Sequence, residues 1–386
     1  MAPLAPPDRD ALPPPLGCRA PLCRYAGRQA RDALCCSPTP FPFSPSSSSS
    51  SSKSPSPPSP DDGTNTRAGA DKEASRPFMY FVHGGMGGAW VWLEYMGFLA
   101  ARGVPCYAVS LRGHGASYYL SFLRMVYATT MGMLAEDALA GLCWVQREHG
   151  RRMGEAVLVG HSSGGGLCQL LLSEKLVTVK GLVLVASVPG YGSGRVSESW
   201  RMLDPWFIPR MILHLGHPNS PLSHPALTRR AFFSREQTDA YLEAFQDKMC
   251  AYESLASTFG MMRPFINRHS VLSQISGRNT GQRVMILCGE LDRIMRQPIM
   301  EDLAHTYRTT YSSMVQQNQL LGEDAEVVPF TGEGSGDNTG HGVRYCFVPG
   351  AAHHLMNDVG WEVGAEKVLA FLQTALMFKA VEKETS

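Results

Sequence analysis

The sequence has no long hydrophobic run and no strong excess of charge. No segment approaches about 18 consecutive apolar residues, the length that a membrane-spanning helix needs. The formal net charge of the 386 residues is only +1, so no overall field favours nucleic acid or an anionic membrane. We therefore expect no transmembrane segment and no nucleic-acid partner.

The ten cysteines lack the spacing of a zinc site or a disulfide framework. No C-x-x-C pair is followed by a second pair, and the six cysteines beyond residue 76 are scattered singly. Most of the six lie in apolar runs, where cysteine behaves as a small hydrophobic residue. The N-terminus also lacks the short apolar core of a secretory signal. These absences indicate reduced, buried cysteines, no metal site and an intracellular protein.

Residues 1–76 differ from the rest of the chain. They are rich in proline and serine, with an unbroken serine run at 46–52. Such a composition cannot bury enough apolar surface to offset the entropy cost of ordering, so we expect a disordered extension. Its Met-Ala start and scattered arginines are typical of an organelle transit peptide, whereas Asp8, Asp10 and Asp32 argue against one. Two interpretations stay open: a plain extension of a cytoplasmic protein, or targeting to a plastid or another organelle.

From Pro77 onward, strand and helix patterns alternate. Six short apolar runs, rich in β-branched or aromatic residues, are typical of strands that are buried on both faces. The alternation predicts an α/β domain over residues 77–386, with a mostly parallel sheet of about six to eight strands and helices on both faces. The predicted strands are 78–82, 105–111, 156–160, 182–188, 283–289 and 344–348, and the clearest predicted helices are 90–102, 131–148, 164–177 and 361–379.

Two intervals interrupt this alternation. Between about 193 and 280 no strand pattern occurs, and aromatic and methionine residues are interspersed with charges, as in amphipathic helices. We predict a helical insertion between two strands there. The second interval, around 310–342, contains the glycine-rich segment 332–340, which we interpret as a flexible surface insertion.

The strongest chemical signal is the segment Gly160-His161-Ser162-Ser163-Gly164. The G-x-S-x-G pattern is short, but here it lies directly between a predicted strand and a predicted helix. A tight turn in that context forces the serine into a strained backbone conformation and projects its hydroxyl at the carboxyl end of the strand. Ser162 is therefore the candidate nucleophile.

A serine hydroxyl is a weak nucleophile unless a neighbouring base accepts its proton. Asp292 and His353 lie in the loops after the last two predicted strands. Because parallel strands end at one edge of a sheet, both side chains can converge on Ser162. Glu290 is an alternative for the acid and the adjacent His354 for the base, although we favour Asp292 and His353.

Acyl transfer also needs hydrogen-bond donors for the oxyanion. One candidate is the backbone N–H of Ser163, directly after the nucleophile. The other is Gly85, in the glycine cluster after the first predicted strand, where the backbone can approach a substrate closely. This cluster does not fit G-x-G-x-x-G, and no G-x-x-x-x-G-K-[ST] loop occurs, so we expect no nucleotide cofactor.

Five segments resemble successive signatures of the α/β-hydrolase superfamily: HGGMGG, SLRGHGAS, VGHSSGGG, LCGELD and PGAAHHLMND. They cover about residues 78–380. The resemblance implies that the insertion at 193–280 is a lid over the substrate pocket. It also favours His353, because the last segment resembles a family block that starts with the catalytic histidine. The SLRGHGAS loop is usually structural in the family, and we assign it no catalytic role.

The expected activity is that of an esterase- or lipase-like serine hydrolase, which forms an acyl-enzyme on Ser162 without a metal or cofactor. A carboxylester is the first choice of substrate. The aromatic and methionine side chains of the insertion suit an apolar acyl or alkyl group, although they also suit the insertion's own core. Hydrolysis of an amide, thioester or C–C bond stays open, as does slow or non-catalytic ligand binding. The sequence does not indicate the oligomeric state.

Overall fold

The computed structural model describes Leu34–Cys36 and residues 76–214, 222, 224–277, 282–329 and 336–375. The predicted disordered extension and its transit-peptide interpretation therefore lie almost entirely outside the described residues. Among the residues that are described, no helix is long and apolar enough to cross a membrane. The six cysteines beyond residue 76 form no disulfide with one another, and five of them are buried.

One sheet forms the centre of the molecule. Its strands are β1 (Leu34–Cys36), β2 (Phe78–Val82), β3 (Cys106–Val109), β4 (Ala156–His161), β5 (Gly181–Val185), β6 (Val284–Gly289), β7 (Val328–Pro329), β8 (Asn338–Gly340) and β9 (Val343–Val348). They are arranged in the order β1-β3-β2-β4-β5-β6-β9-β8-β7. The run from β3 to β9 is parallel throughout, and the short strands β1, β8 and β7 add antiparallel edges. The predicted mostly parallel sheet is confirmed, and its six parallel strands are the six that the apolar runs indicate.

The central strands are buried on both faces. Every residue of β2, β4, β5 and β6 is buried, and none of these strands alternates between apolar and polar residues. This pattern is expected where helices cover both faces of a parallel sheet, because neither face meets water.

The helices form two packed groups around the sheet. They are α1 (Leu93–Ala100), α2 (Met131–His149), α3 (Ser163–Ser173), α4 (Gly194–Leu203), α5 (Phe207–Leu213), α6 (Pro225–Phe232), α7 (Asp239–Lys248), α8 (Leu255–Met261), α9 (Arg268–Ser273), α10 (Gln297–Gln316) and α11 (Trp361–Ala375). Helix α1 packs against α11, whereas α2 and α9 both pack against α3, and α10 packs against α9.

The interval between β5 and β6 is helical, as predicted. Its described residues form α4–α9, and no strand occurs among them. Local sequence explains where three of these helices begin. The side chains of Thr238, Ser254 and Asn267 each accept a hydrogen bond from the backbone N–H three residues later, which satisfies a donor that has no partner inside the helix. We call residues 193–280 the insertion.

The interval 310–342 is more ordered than the sequence suggests. Residues up to Gln316 extend α10, and Asn338–Gly340 pairs with β9 through a two-residue turn, His341-Gly342. Both turn residues have positive φ, 44° and 74°, which is typical of a tight hairpin. Of the segment 332–340 that we interpret as a flexible surface insertion, residues 338–340 form a strand, and 332–335 lie outside the described part.

Candidate active site

Three loops at the carboxyl edge of the sheet bring the predicted side chains together. Ser162 directly follows β4, Asp292 follows β6, and His353 follows β9. In the sheet β4 pairs with β5, β5 with β6 and β6 with β9, so these strand ends share one edge. The topology thus places residues that lie far apart in the sequence around one point.

Ser162 has the strained backbone that its turn predicts. Its φ of 51° and ψ of −122° lie in a region that residues with side chains rarely occupy. Hydrogen bonds hold this conformation in place. The Ser162 N–H donates to the Val185 carbonyl at 3.0 Å, and the Ser162 carbonyl accepts from Val188 N–H at 2.9 Å. The hydroxyl lies at the N-terminus of α3 and lines a cavity.

The glycines around Ser162 are steric requirements. A Cβ on Gly164 would lie 2.2 Å from the carbonyl oxygen of His83, and a Cβ on Gly160 would lie 2.5 Å from the Cα of Gly165. Both distances are shorter than any real contact, and both involve backbone atoms that have little freedom to move. The glycines therefore let α3 start close against β4 and the loop after β2.

Ser162, His353 and Asp292 form a continuous chain of hydrogen bonds. His353 Nε2 lies 3.1 Å from Ser162 Oγ, and His353 Nδ1 lies 2.9 Å from Asp292 Oδ2. Because a carboxylate only accepts hydrogen bonds, Nδ1 carries the proton and Nε2 presents its lone pair to the hydroxyl. Asp292 Oδ1 accepts from the N–H groups of Ile294 and Met295 at 2.8 and 2.9 Å. These contacts fix both the carboxylate and the imidazole tautomer.

The two alternatives from the sequence lie elsewhere. Glu290 is exposed, and its carboxylate accepts from the N–H of Gly350 at 2.9 Å. His354 is buried, with its ring 4.6 Å from that of Phe232 and 5.0 Å from that of Phe245. The structure therefore brings Asp292 and His353, and not their neighbours, to Ser162.

Burial keeps three other histidines around the site neutral: His83, His161 and His354. It lowers the pKa of His83 and of His354 to about 3, and neighbouring histidines contribute in the same direction. The pKa of His161 is also well below its usual value, because of burial and then of His354 and His353. His161 Nε2 donates to the backbone carbonyl of His353 at 3.0 Å and so supports the loop that carries the candidate base.

Both predicted oxyanion donors line the same cavity as Ser162. Ser163 is the first residue of α3, where backbone N–H groups have no partner within the helix. In the described part of the chain, neither the Ser163 nor the Gly85 N–H donates to a protein acceptor. The N–H of the next residue, Met86, is engaged by Glu253 at 2.9 Å, which favours Gly85 over Met86 as a donor.

The cavity has a volume of about 230 Å³ and a mostly apolar lining. The sheet edge forms one side, and α4, α6, α8 and neighbouring residues of the insertion form the other. Glu253 is the only carboxylate among the described residues of the lining. The apolar lining comprises Met86, Leu111, Leu134, Leu167, Val188, Val196, Trp200, Leu222, Phe232, Leu255, Met261, Ile294 and Met295.

The lining also contains an ion pair that no sequence pattern indicates. Glu253 Oε2 lies 2.8 Å from His114 Nε2, and His114 Nδ1 lies 2.8 Å from the carbonyl oxygen of Arg112. Since both acceptors lack protons, both imidazole nitrogens donate and His114 is an imidazolium. Burial opposes this charge, but Glu253 raises the pKa of His114 well above its usual value. In return, despite burial, His114 lowers the pKa of Glu253 to about 2.

No sequence signal singles out Glu253 among the charges of the insertion. His114 lies in the SLRGHGAS loop, to which the family resemblance assigns no catalytic role. Together with Cys250 these residues place possible metal-ligand atoms within 4.8 Å of one another. In this arrangement His114 and Glu253 are hydrogen-bonded to each other as an ion pair.

A profile of the alpha/beta hydrolase family matches residues 79–358. This match covers most of the chain, and the chain belongs to that family. Two solved structures share the fold. An esterase from Thermogutta terrifontis, with malate bound, has a TM-score of 0.52 at 18% identity and covers 78% of this chain and 90% of its own. A carboxylesterase structure from Nitrososphaera gargenis has a TM-score of 0.50 at 14% identity, and the match covers 78% of this chain and 92% of that one.

Among curated proteins, the chain is similar to Protein ABHD8 of Bos taurus, with 28% identity over 140 residues. The matched region covers 36% of this chain and 29% of that relative's length. Human and mouse ABHD8 match over the same shares. This similarity is confined to a minority of both proteins, so it identifies no substrate.

Proposed function

We propose that the protein is a serine hydrolase that cleaves a carboxylester through an acyl-enzyme on Ser162. The observation that carries this proposal is the chain of hydrogen bonds from Ser162 through His353 to Asp292, at distances of 3.1 and 2.9 Å. A serine whose hydroxyl faces a base in the correct tautomer, beside two N–H groups without protein acceptors, has the parts that acyl transfer needs.

The first half-reaction forms the acyl-enzyme. Ser162 Oγ attacks the ester carbonyl carbon while His353 Nε2 takes the hydroxyl proton. Asp292 stabilises the imidazolium, and the N–H groups of Gly85 and Ser163 bind the negatively charged oxygen of the tetrahedral intermediate. His353 then gives its proton to the alkoxide leaving group as the carbon–oxygen bond breaks.

The second half-reaction releases the acid. A water molecule attacks the acyl carbon and loses a proton to His353 Nε2. The second tetrahedral intermediate then collapses, and the proton returns to Ser162 Oγ as the acyl–serine bond breaks. Every proton moves between the substrate, water and His353, so no step needs a cofactor.

The cavity supports an ester with a short apolar acyl group. Its volume of about 230 Å³ is small, and its lining is predominantly apolar. The named structural neighbours are themselves esterases, which supports the same class of substrate. Residues of the insertion line the cavity opposite the sheet edge, which supports a role of the insertion as a lid.

The proposal is tested by covalent labelling with a fluorophosphonate, which reacts with activated serines. We expect labelling of the wild type and none of Ser162→Ala. Ser173→Ala, at the other end of the same helix α3, is the matched control and should label normally. A folded wild-type protein that neither labels nor hydrolyses p-nitrophenyl acetate or butyrate would contradict the proposal and favour ligand binding without turnover.

A further inference from the structure

The loop after β2 is tied to the insertion through one residue, Met86. Its N–H donates to Glu253 Oε2 at 2.9 Å, and its carbonyl accepts from the N–H of Cys250 at 3.2 Å. Met86 has a φ of 68°, a backbone conformation that residues with a side chain adopt uncommonly. Residues 250–253 of the insertion therefore hold both polar backbone atoms of Met86 in a strained conformation.

Glu253 is itself fixed from several directions. His114 Nε2 lies 2.8 Å from Oε2, and the N–H of Ser254 donates to Oε1 at 2.8 Å. The side chain is only 16% exposed, so water competes weakly for these bonds. His114 also supplies the charge that balances the carboxylate. Without it, a negative charge beside the oxyanion donors would oppose the reaction that they serve.

The ion pair lies directly against the candidate oxyanion donor. A Cβ on Gly85 would lie 3.1 Å from Glu253 Oε2, and one on Gly84 would lie 2.8 Å from Ser162 Cβ. Gly85 thus lies between two fixed residues of the loop: Gly84, which packs against Ser162, and Met86, which Glu253 holds. The Gly85 N–H lies in the Gly84–Gly85 peptide plane, which is joined at the Gly85 Cα to the Gly85–Met86 plane. Met86 holds the second plane through its N–H, and Gly84 packs against Ser162 at the first, so little freedom is left to the Gly85 N–H.

We propose that Glu253, held by His114, is a positioning residue that orients the Gly85 N–H through Met86. This inference rests on the proposed function, in which Gly85 binds the oxyanion. Its consequence is a coupling between the two sides of the cavity: the insertion supplies the contact that completes the oxyanion site on the sheet edge. Displacing residues 250–253 removes that contact and leaves Ser162, His353 and Asp292 in place.

The test compares Glu253→Ala and Glu253→Gln with the wild type. The alanine variant loses the acceptor for Met86, whereas the glutamine oxygen can still accept from Met86 N–H but cannot neutralise His114. Glu155→Gln is the matched control, because Glu155 pairs with buried Lys180 just before β4, away from the candidate site. Hydrogen exchange at the amides of residues 83–88 reports loop order, and ester kinetics report its effect on turnover.

In Glu253→Ala we expect exchange at Met86 to accelerate by about tenfold or more. We also expect kcat to fall by about 10²-fold with KM within about threefold, because an oxyanion donor acts mainly in the transition state. Glu253→Gln should retain loop protection and most of kcat, and Glu155→Gln should match the wild type in both. Unchanged exchange in Glu253→Ala would overturn the inference whether or not the protein hydrolyses esters, and so would a KM effect without a kcat effect. Loss of the proposed function would appear separately, as a wild type that no fluorophosphonate labels.

Discussion

The two sides of the cavity are built in different ways. On the sheet edge, Ser162 is held by backbone hydrogen bonds of about 3 Å, and glycines allow contacts that no side chain would fit. The insertion meets the cavity with large apolar side chains interspersed with serine and threonine hydroxyls, and its outer surface exposes large hydrophobic residues. Trp206, Ile212 and Phe259 are each at least 60% exposed.

This difference separates two tasks. The sheet edge fixes the distances on which proton transfer depends, and small displacements there are costly. The insertion sets the shape and polarity of the space above Ser162, where several side chains of similar size would serve. Substitutions on the sheet edge should therefore act on kcat or on folding. Those of the apolar side chains of the insertion should act on substrate preference, whereas Glu253, which contacts the sheet edge, should act on kcat.

The largest expected effect distinguishes two adjacent histidines. His353→Gln should lower kcat by about 10⁴-fold or more, because it removes the base but retains a side chain of similar size. His354→Gln should stay within about tenfold of the wild type, because His354 packs against Phe232 and Phe245 of the insertion. Steady-state hydrolysis of p-nitrophenyl butyrate checks both variants. Equal losses would show that the two side chains act as one unit.

A second comparison uses two glycines of α3, one that faces the end of β2 and the loop after it and one that faces the insertion. An alanine Cβ at Gly164 would lie 2.2 Å from the His83 carbonyl oxygen, whereas one at Gly166 would lie 3.4 Å from flexible atoms of Met261. We expect Gly164→Ala to lower the free energy of unfolding by about 3 kcal/mol or more, and Gly166→Ala to change it by less than about 1 kcal/mol. Urea unfolding followed by tryptophan fluorescence measures both. A similar loss in the two variants would contradict the view that the sheet edge is the more rigid side.

Sequence patterns predict the sheet edge well, because its constraints are local. Six apolar runs indicate six strands, and Ser162, Asp292 and His353 each lie in the loop that follows one of them. The family resemblance adds the choice of His353 over His354. A parallel sheet then brings these loops together without further information.

The rest of the site depends on contacts that local sequence does not encode. Glu253 reaches Met86 and His114 across 167 and 139 positions of the sequence, and no motif marks it. The hairpin at His341-Gly342 was also missed, because its neighbouring strand β8 has only three residues and no apolar pattern.

A third prediction concerns substrate choice on the insertion side. Trp200, on α4, lines the cavity, and Trp200→Ala would enlarge it by most of an indole ring. We expect the ratio of kcat/KM for a hexanoate ester to that for an acetate ester to rise by about tenfold, since added space favours the longer chain. The matched control is Trp206→Ala, on the exposed outer surface of the insertion, which should leave the ratio unchanged. An unchanged ratio in Trp200→Ala would mean that the acyl group binds elsewhere.

The smallest expected effect concerns His354, which lies on the sheet edge and packs against the insertion, and the pH dependence of the free energy of unfolding. Burial lowers the pKa of His354 to about 3, compared with 6.5 when exposed. Between these values the unfolded chain binds a proton that the folded protein excludes, so acidification below about 6.5 lowers the free energy of unfolding. The pKa of Glu253 is lowered from 4.5 to about 2, so the stability that its ionised form contributes is lost only at pH below about 4.5.

Between pH 6 and pH 5 the free energy of unfolding of the wild type should therefore fall more steeply than that of His354→Gln. We expect the two slopes to differ by about 1 kcal/mol per pH unit. Urea unfolding at several pH values measures this slope, and His269→Gln, which removes an exposed imidazole, is the control. Equal slopes in His354→Gln and the wild type would mean that the folded protein does not exclude a proton from His354.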